Sequence, residues 1–371
     1  MTYRCLMLGA GSMGARWIRD IWAPFHAQGR MDFAGLVEPD PTRLTELGDW
    51  IGLPQTARFM NAQEAFAAVD ADFCCIVSPP DAHQEAVALA CARAMPILTE
   101  KPVADTPEGC AAIARAVRDA GVKMLVTQNY RYTRRILTLK EAVASLGPVN
   151  YAVARYASAY RQRGAWAEFR HAMRHSLLIE GSIHHFDQLR NLTGADCAAI
   201  AGWDWNPGLA RGNAAAWRHS DAFDAEACAL FTLRMTDGAY ASYEGNNLAT
   251  GKTNSWHGEH YRIECEAGAA VLDRDHTVRI EERAPSGTLQ TREVAPVDVE
   301  WENHQAIAAQ FLAWLDGGPE PPTTLADNLQ SMAMLFGAIR ASETGTAVDV
   351  QMMARELAAI DAAARAGPKP Q

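Results

Sequence analysis

At 371 residues, with 49% hydrophobic and 21% charged residues, the chain is long enough for two domains and has the composition of an ordinary globular protein. A net charge of −10 argues against nucleic acid and anionic membrane as main partners. No apolar run approaches the about 20 residues that a membrane helix needs.

The first 127 residues alternate two kinds of segment. Residues 4–8, 33–38, 73–78, 96–99 and 123–127 are short apolar runs without strict alternation, as expected of parallel strands buried on both faces. The first of these is too short for a signal peptide and no small-residue cleavage site follows it. Helical patterns lie between the strands, at 13–27, 41–50, 81–94 and 106–120. Thr106-Pro107-Glu108 reads as an N-cap, a first-turn proline and an early acid, and Gly121 as the stop of that helix. The alternation predicts a doubly wound α/β Rossmann domain over residues 1–127.

After about residue 145 the pattern changes. Residues 149–157, 227–235, 240–245, 261–266, 270–272, 277–281 and 289–294 look like strands, several divided by turn signals such as Thr236-Asp237-Gly238. Helical stretches recur at 181–192, 304–315 and 325–341. These predict an α+β domain over 128–371 with a mainly antiparallel open sheet. The eight cysteines are scattered, with no Cys-x-x-Cys pair, and Cys74 and Cys75 read as core thiols. That is the usage of a reducing, cytoplasmic compartment.

Gly9-Ala10-Gly11-Ser12-Met13-Gly14 stands directly after a strand and opens a helix. Gly9 permits the tight turn, Gly11 lets the backbone approach a pyrophosphate, and Gly14 allows close helix–strand packing, with the helix N-terminus facing the anion. Glu38 ends the second strand, where a carboxylate accepts hydrogen bonds from ribose hydroxyls and repels the 2′-phosphate of NADP. NAD is therefore the expected cofactor, although Arg43 nearby leaves NADP open.

Three further motifs follow: Ser78-Pro79-Pro80-Asp81-Ala82-His83 after the third of these strands, Glu100-Lys101-Pro102 after the fourth, and Glu180-Gly181-Ser182-Ile183-His184-His185-Phe186-Asp187 in the second domain. With the glycine turn, this series resembles the glucose–fructose oxidoreductase / inositol dehydrogenase / MocA family over nearly the whole chain. The resemblance implies hydride transfer to or from a carbinol or carbonyl of a sugar, sugar acid or cyclitol. It also implies a homo-oligomer, a dimer or tetramer, often formed through the sheet of the second domain. It makes Lys101 and His184 catalytic, and places Asn129 near the nicotinamide and Ser78, Pro79, Pro80, His83 and Glu100 at the cofactor. The family's aspartate four residues before the histidine is replaced here by Glu180, a departure that lengthens the side chain by one methylene.

Such a reaction needs a base for the hydroxyl proton and a cation for the developing alkoxide. Histidine titrates near neutrality and suits the first task, and lysine suits the second. On one α-helix Glu180, His184 and Asp187 share a face. His184 is accordingly read as acid/base, Lys101 as alkoxide clamp and proton partner, and Glu180 as substrate orienter or pKa tuner. Asp187 either orients His184 or caps a positive group. A basic, aromatic stretch over 155–175 includes Arg163, Trp166 and His175 as candidate substrate contacts, which suggests an acidic or sulfonated sugar. The stretch reads equally as a solvated loop or subunit interface. His171 and His175 have helical ligand spacing, but no third ligand is evident and no metal site is expected. Two other functions stay open: a redox-neutral NAD-dependent glycosidase working by transient ring oxidation and elimination, and a non-enzymatic NAD-binding sensor.

Overall fold

The computed structural model describes residues 1–160, 168–207, 224–250 and 258–359. These form two compact units. The first comprises Met1–Asn129, Trp301–Leu329 and the described residues from Glu356; the second comprises Tyr130–Glu300 and Gln330–Arg355. The chain thus returns to the first unit after residue 300. The returning segment completes the edge of the first sheet: Val126 N–H donates to Thr323 O at 2.9 Å, and Leu125 bridges Thr324. Covering an edge strand in this way removes an exposed pairing surface.

The first unit is built on six parallel strands in the order β3-β2-β1-β4-β5-β6. They are β1 (Tyr3–Leu8), β2 (Met31–Val37), β3 (Arg58–Phe59), β4 (Phe73–Ile76), β5 (Ile97–Thr99) and β6 (Met124–Val126). All four residues of β4 are buried, as the unbroken apolar run requires of a central strand. The two-residue β3 was invisible in the sequence. This strand order reverses direction beside β1, the place where open α/β sheets hold ligands.

The helix expected over 13–27 is not continuous. It divides into α1 (Ser12–Arg16), a π turn at Trp17–Ile21, and α2 (Ala23–Ala27). Trp17 and Trp22 explain the division. Five residues apart on an α-helix they would point about 140° apart. The π turn, closed by Trp22 N–H on Trp17 O at 2.8 Å, lets both indoles enter the core, where their ring centroids lie 5.4 Å apart. The remaining helices of this part are α3 (Pro41–Trp50), α4 (Ala62–Ala68), α5 (His83–Ala92) and α6 (Pro107–Ala120). The last is capped by Thr106, whose hydroxyl accepts from Gly109 N–H, and ends at Gly121 with φ of 64°.

The second unit carries an open nine-stranded sheet, ordered β14-β13-β12-β11-β7-β10-β9-β8-β15. Its strands are β7 (Val149–Ala157), β8 (Cys197–Trp205), β9 (Cys228–Met235), β10 (Tyr240–Asn246), β11 (Glu259–Cys265), β12 (Gly268–Leu272), β13 (Val278–Arg283), β14 (Leu289–Glu293) and β15 (Val348–Asp349). Every neighbouring pair is antiparallel except β7 and β10. Helices α7 (Arg134–Ala144) and α9 (Ile183–Thr193) accompany it, with a short α8 (Glu168–Ala172) between them in sequence, and most of a later helix, Leu325–Thr344, also belongs to this unit. One face of β8 to β10 exposes Trp203, Leu230 and Tyr240, which are 58%, 49% and 54% accessible.

Candidate active site

The glycine turn is built as its spacing requires. Gly9 has φ of +102°, and a Cβ there would meet the Val77 carbonyl at 2.8 Å. A Cβ on Gly14 would lie 2.2 Å from Gly9 O, so this glycine is what allows α1 to sit against the turn. Gly11 differs. The nearest atom to a Cβ there is the Arg43 guanidinium at 3.7 Å, so packing within the protein does not demand glycine. It gives α1 no side-chain cap, and the first-turn N–H groups, those of Ser12 and Met13 among them, keep the orphan donors of a helix start. An open space over uncapped donors fits a pyrophosphate.

Glu38 is buried at the end of β2. Its carboxylate accepts from Ala10 N–H at 2.7 Å and Asp40 N–H at 3.1 Å, which fixes it beside the glycine turn. At the end of β4 the Ser78 hydroxyl is buried with no hydrogen-bond partner among the described residues, a second polar group suited to a ligand. Pro79 and Pro80 lead into a short 3₁₀ turn, Pro80–Ala82. The His83 ring braces this loop, with Nε2 2.9 Å from Ser78 O and Nδ1 3.2 Å from Val103 O. Burial lowers the His83 pKa, and the facing carbonyls only partly oppose that.

Glu100 is a buried hub. Its carboxylate accepts from Trp17 Nε1 at 2.8 Å and from Thr127 Oγ1 at 2.7 Å, and His304 Nε2 lies 3.3 Å away. Burial alone would raise its pKa. The His304 hydrogen bond and charge, the Lys101 charge and the Trp17 hydrogen bond outweigh that and hold the carboxyl at about 2. These contacts fix the strand end from which the half-buried Lys101 projects. Lys101 N–H lies 3.2 Å from Thr127 Oγ1 and 3.3 Å from Glu100 Oε2, and the peptide to Pro102 is cis. Asn129 is buried and its amide donates to Asn303 Oδ1. Trp17, Thr127 and His304 went unread in the sequence.

In the second unit, Leu177–Ser182 forms a π turn that runs into α9. The face shared by Glu180, His184 and Asp187 was derived from α geometry, and the π turn alters it by rotating less per residue. His184 is buried at 5% accessibility and stacks on Tyr130, with ring centroids 4.0 Å apart and planes 6° from parallel. Glu180 is buried and accepts from Arg170 Nε at 2.8 Å. Asp187 is held by Arg131 through a two-pronged contact, Nε at 2.7 Å and Nη2 at 2.6 Å, and by Ser331 Oγ at 2.8 Å. His175, in a left-handed backbone conformation, pairs through Nδ1 with Asp204 at 2.8 Å. Burial opposes the charge on His175, but Asp204 outweighs it and raises the pKa. Arg163 and Trp166 lie outside the described residues.

Of the basic residues nearby, Arg155, Arg170 and Arg174 each face a carboxylate, on Glu244, Glu180 and Glu343, at 3.2, 2.8 and 3.4 Å.

The fold and glycine turn define an oxidoreductase with an NAD-binding Rossmann domain. Residues 3–128 match the model of the oxidoreductase family with that fold. The chain belongs to the glucose–fructose oxidoreductase / inositol dehydrogenase / MocA family. It is 36% identical to the uncharacterised protein y4oX of Sinorhizobium fredii, over 95% of this chain and 96% of that protein. It is 24% identical to a D-apiose dehydrogenase of Rhizobium rhizogenes, over 86% of this chain and 90% of the relative. Among solved structures, an oxidoreductase from Agrobacterium radiobacter crystallised with NAD+, L-tartaric acid and magnesium superposes with a TM-score of 0.81. Identity there is 21%, and the match covers 95% of this chain and 99% of that one.

Proposed function

We propose that this oxidoreductase interconverts a carbinol and a carbonyl on a sugar, sugar acid or cyclitol, with NAD as hydride carrier. The observation that carries the reading is Lys101, a cation set at a strand end that the Glu100 hub holds rigid. Bound NAD supplies the hydride acceptor. The protein's own residues supply the rest. Gly11 and the start of α1 receive the pyrophosphate, and Glu38 receives the ribose hydroxyls. The Lys101 ammonium stabilises the oxygen as negative charge develops on it. The His184 imidazole exchanges the hydroxyl proton, its plane set by the Tyr130 stack. Glu180, paired with Arg170, orients the substrate beside it. The names of relatives, including D-apiose dehydrogenase, inositol 2-dehydrogenase and levoglucosan dehydrogenase, support this substrate class.

A panel of neutral aldoses, sugar acids, cyclitols and aryl glycosides with NAD+ tests the reading by NADH absorbance. At least one free polyol should give net NADH, and Lys101→Ala should slow it about 10² to 10⁴-fold with NAD affinity unchanged within a few-fold. Aglycone release without net NADH, or NAD binding with no turnover of any compound, would overturn it.

We further propose a homo-oligomer through the exposed face of β8 to β10, since Trp203 and Leu230 stand opposite each other there as exposed apolar side chains of the kind that mark association surfaces, with Tyr240 further along the same face. Light scattering would show a larger particle that Trp203→Arg reduces. The eight cysteines, all unpaired, support a reducing compartment. Among the described residues no helix is long and apolar enough to cross a membrane.

A further inference from the structure

We propose that His175, Asp204 and Glu226 form a binding site for a divalent first-row transition ion, with Zn²⁺ or Mn²⁺ the chemistry that fits. One donor atom from each lies within 4.8 Å of the others. His175 Nδ1 is 2.8 Å from Asp204 Oδ2 and 3.9 Å from Glu226 Oε2. Donors about 2.0–2.2 Å from a tetrahedral metal lie about 3.4 Å apart. The two distances fall on either side of that value, so sub-ångström adjustments would seat an ion.

The site is built rather than incidental. The Asp204 side chain is fully buried, and its Oδ1 has no hydrogen-bond partner among the described residues. A buried carboxylate oxygen without a donor is costly, and a cation bound by Asp204 would offset that cost. Glu226 is held in place because its carboxylate accepts from His175 N–H at 2.8 Å. A third carboxylate, Glu343, lies 3.5 Å from the other ring nitrogen and also faces Arg174 at 3.4 Å. Asp204 and Glu226 thus converge on Nδ1 of the imidazole, an oxygen-rich set with one nitrogen that suits zinc or manganese better than a soft ion. The site joins β8, the segment that leads into β9 and the turn that enters the π segment bearing Glu180. Its role is to pin that turn, and it rests on the geometry of the second unit alone.

The competing occupant of the His175 Nδ1 position is a proton, with the cluster acting as a plain ion pair. The experiment uses the full-length chain without a tag, dialysed against chelator and titrated with Co²⁺. One equivalent should give visible d–d bands, which one equivalent of Zn²⁺ should bleach. Glu226→Gln, at a partly exposed position, should weaken Zn²⁺ by about a hundredfold or more while far-ultraviolet circular dichroism stays unchanged, and Asp204→Asn should do the same. Asp273→Asn, a carboxylate in a different ion pair, should leave binding intact. Failure to bind one equivalent of metal, or binding that survives both Glu226→Gln and His175→Gln, would overturn the proposal in favour of the proton or of a different site. NADH production is not read in this experiment, so its outcome is independent of the proposed function.

Discussion

Replacing Asp187 with asparagine should be among the most damaging conservative changes in the second unit. The wild-type carboxylate is 1% accessible and its Arg131 partner 9%, so solvent screens the pair little. Arg131 contacts both oxygens, and Ser331 adds a third hydrogen bond. Asparagine keeps the volume but leaves the guanidinium buried beside a neutral amide. Breaking one side of a buried pair costs about 3–5 kcal/mol. For a cooperative unit of about 200 residues, with an unfolding entropy of about 2.1 cal/mol/K per residue, 4 kcal/mol lowers the melting temperature by about 10 °C. Urea unfolding followed by fluorescence measures the loss directly. A cycle with Arg131→Met and Asp187→Leu completes the test, because replacing both charges with apolar groups removes the buried charge as well as the pair. The loss in the double variant should be at least about 2 kcal/mol smaller than the sum of the single losses. Single losses below about 1 kcal/mol, or losses that simply add, would refute the view that this pair holds the helix bearing His184.

Gly11→Ala and Gly14→Ala should separate binding from folding. The first leaves stability within about 1 kcal/mol and weakens NAD binding tenfold or more, whereas the second, with its Cβ 2.2 Å from Gly9 O, destabilises by about 1–3 kcal/mol; calorimetry reads both. Glu38→Gln should lower NAD affinity about 10- to 150-fold, from the loss of charge-assisted hydrogen bonds, and shift the NAD-to-NADP ratio towards NADP; fluorescence titration with each cofactor checks this. Glu100, held at about 2 against an ordinary 4.5, binds fewer protons folded than unfolded. Its contribution is present above pH 4.5 and fades as pH falls towards 2, by on the order of 3 kcal/mol. Urea midpoints at pH 5 and pH 3 should therefore converge in Glu100→Gln relative to wild type.

What was legible in the sequence was local. The glycine turn and Glu38 sit in short segments whose neighbours state the local fold, and Lys101 was singled out by the Glu100-Lys101-Pro102 motif that carries the family resemblance. The networks around them were not legible because they join distant positions. Trp17 reaches Glu100 across 83 residues, Arg131 reaches Asp187 across 56, and Ser331 reaches Asp187 across 144. Strand β8 was missed for a different reason. Its alanines and Gly202 have weak strand propensity, and only pairing with β9 makes it a strand. At Gly202 a side chain would strike Leu230 O at 2.1 Å, so the same glycine that hid the strand permits its close approach. In α7 the signal was present and unread: Ile136, Leu139 and Val143 are buried at helical spacing. The π turns follow from packing demands on Trp17 and Trp22 and on the Glu180 segment, which an assumed α period conceals.

The charge pattern over 155–175 acquires partners in the structure that composition does not reveal. As a sequence it is a basic run that invites an anion. In the structure Arg155, Arg170 and Arg174 each already face a glutamate drawn from elsewhere in the chain. An acidic sugar approaching Arg170 would have to displace Glu180, a buried carboxylate whose ion pair is already formed. Displacement would strand that charge in a poorly solvated place, and a neutral carbinol avoids the conflict. An anionic substrate would therefore need a cation other than these three arginines, while the roles proposed for Lys101 and His184 suit neutral and acidic polyols alike.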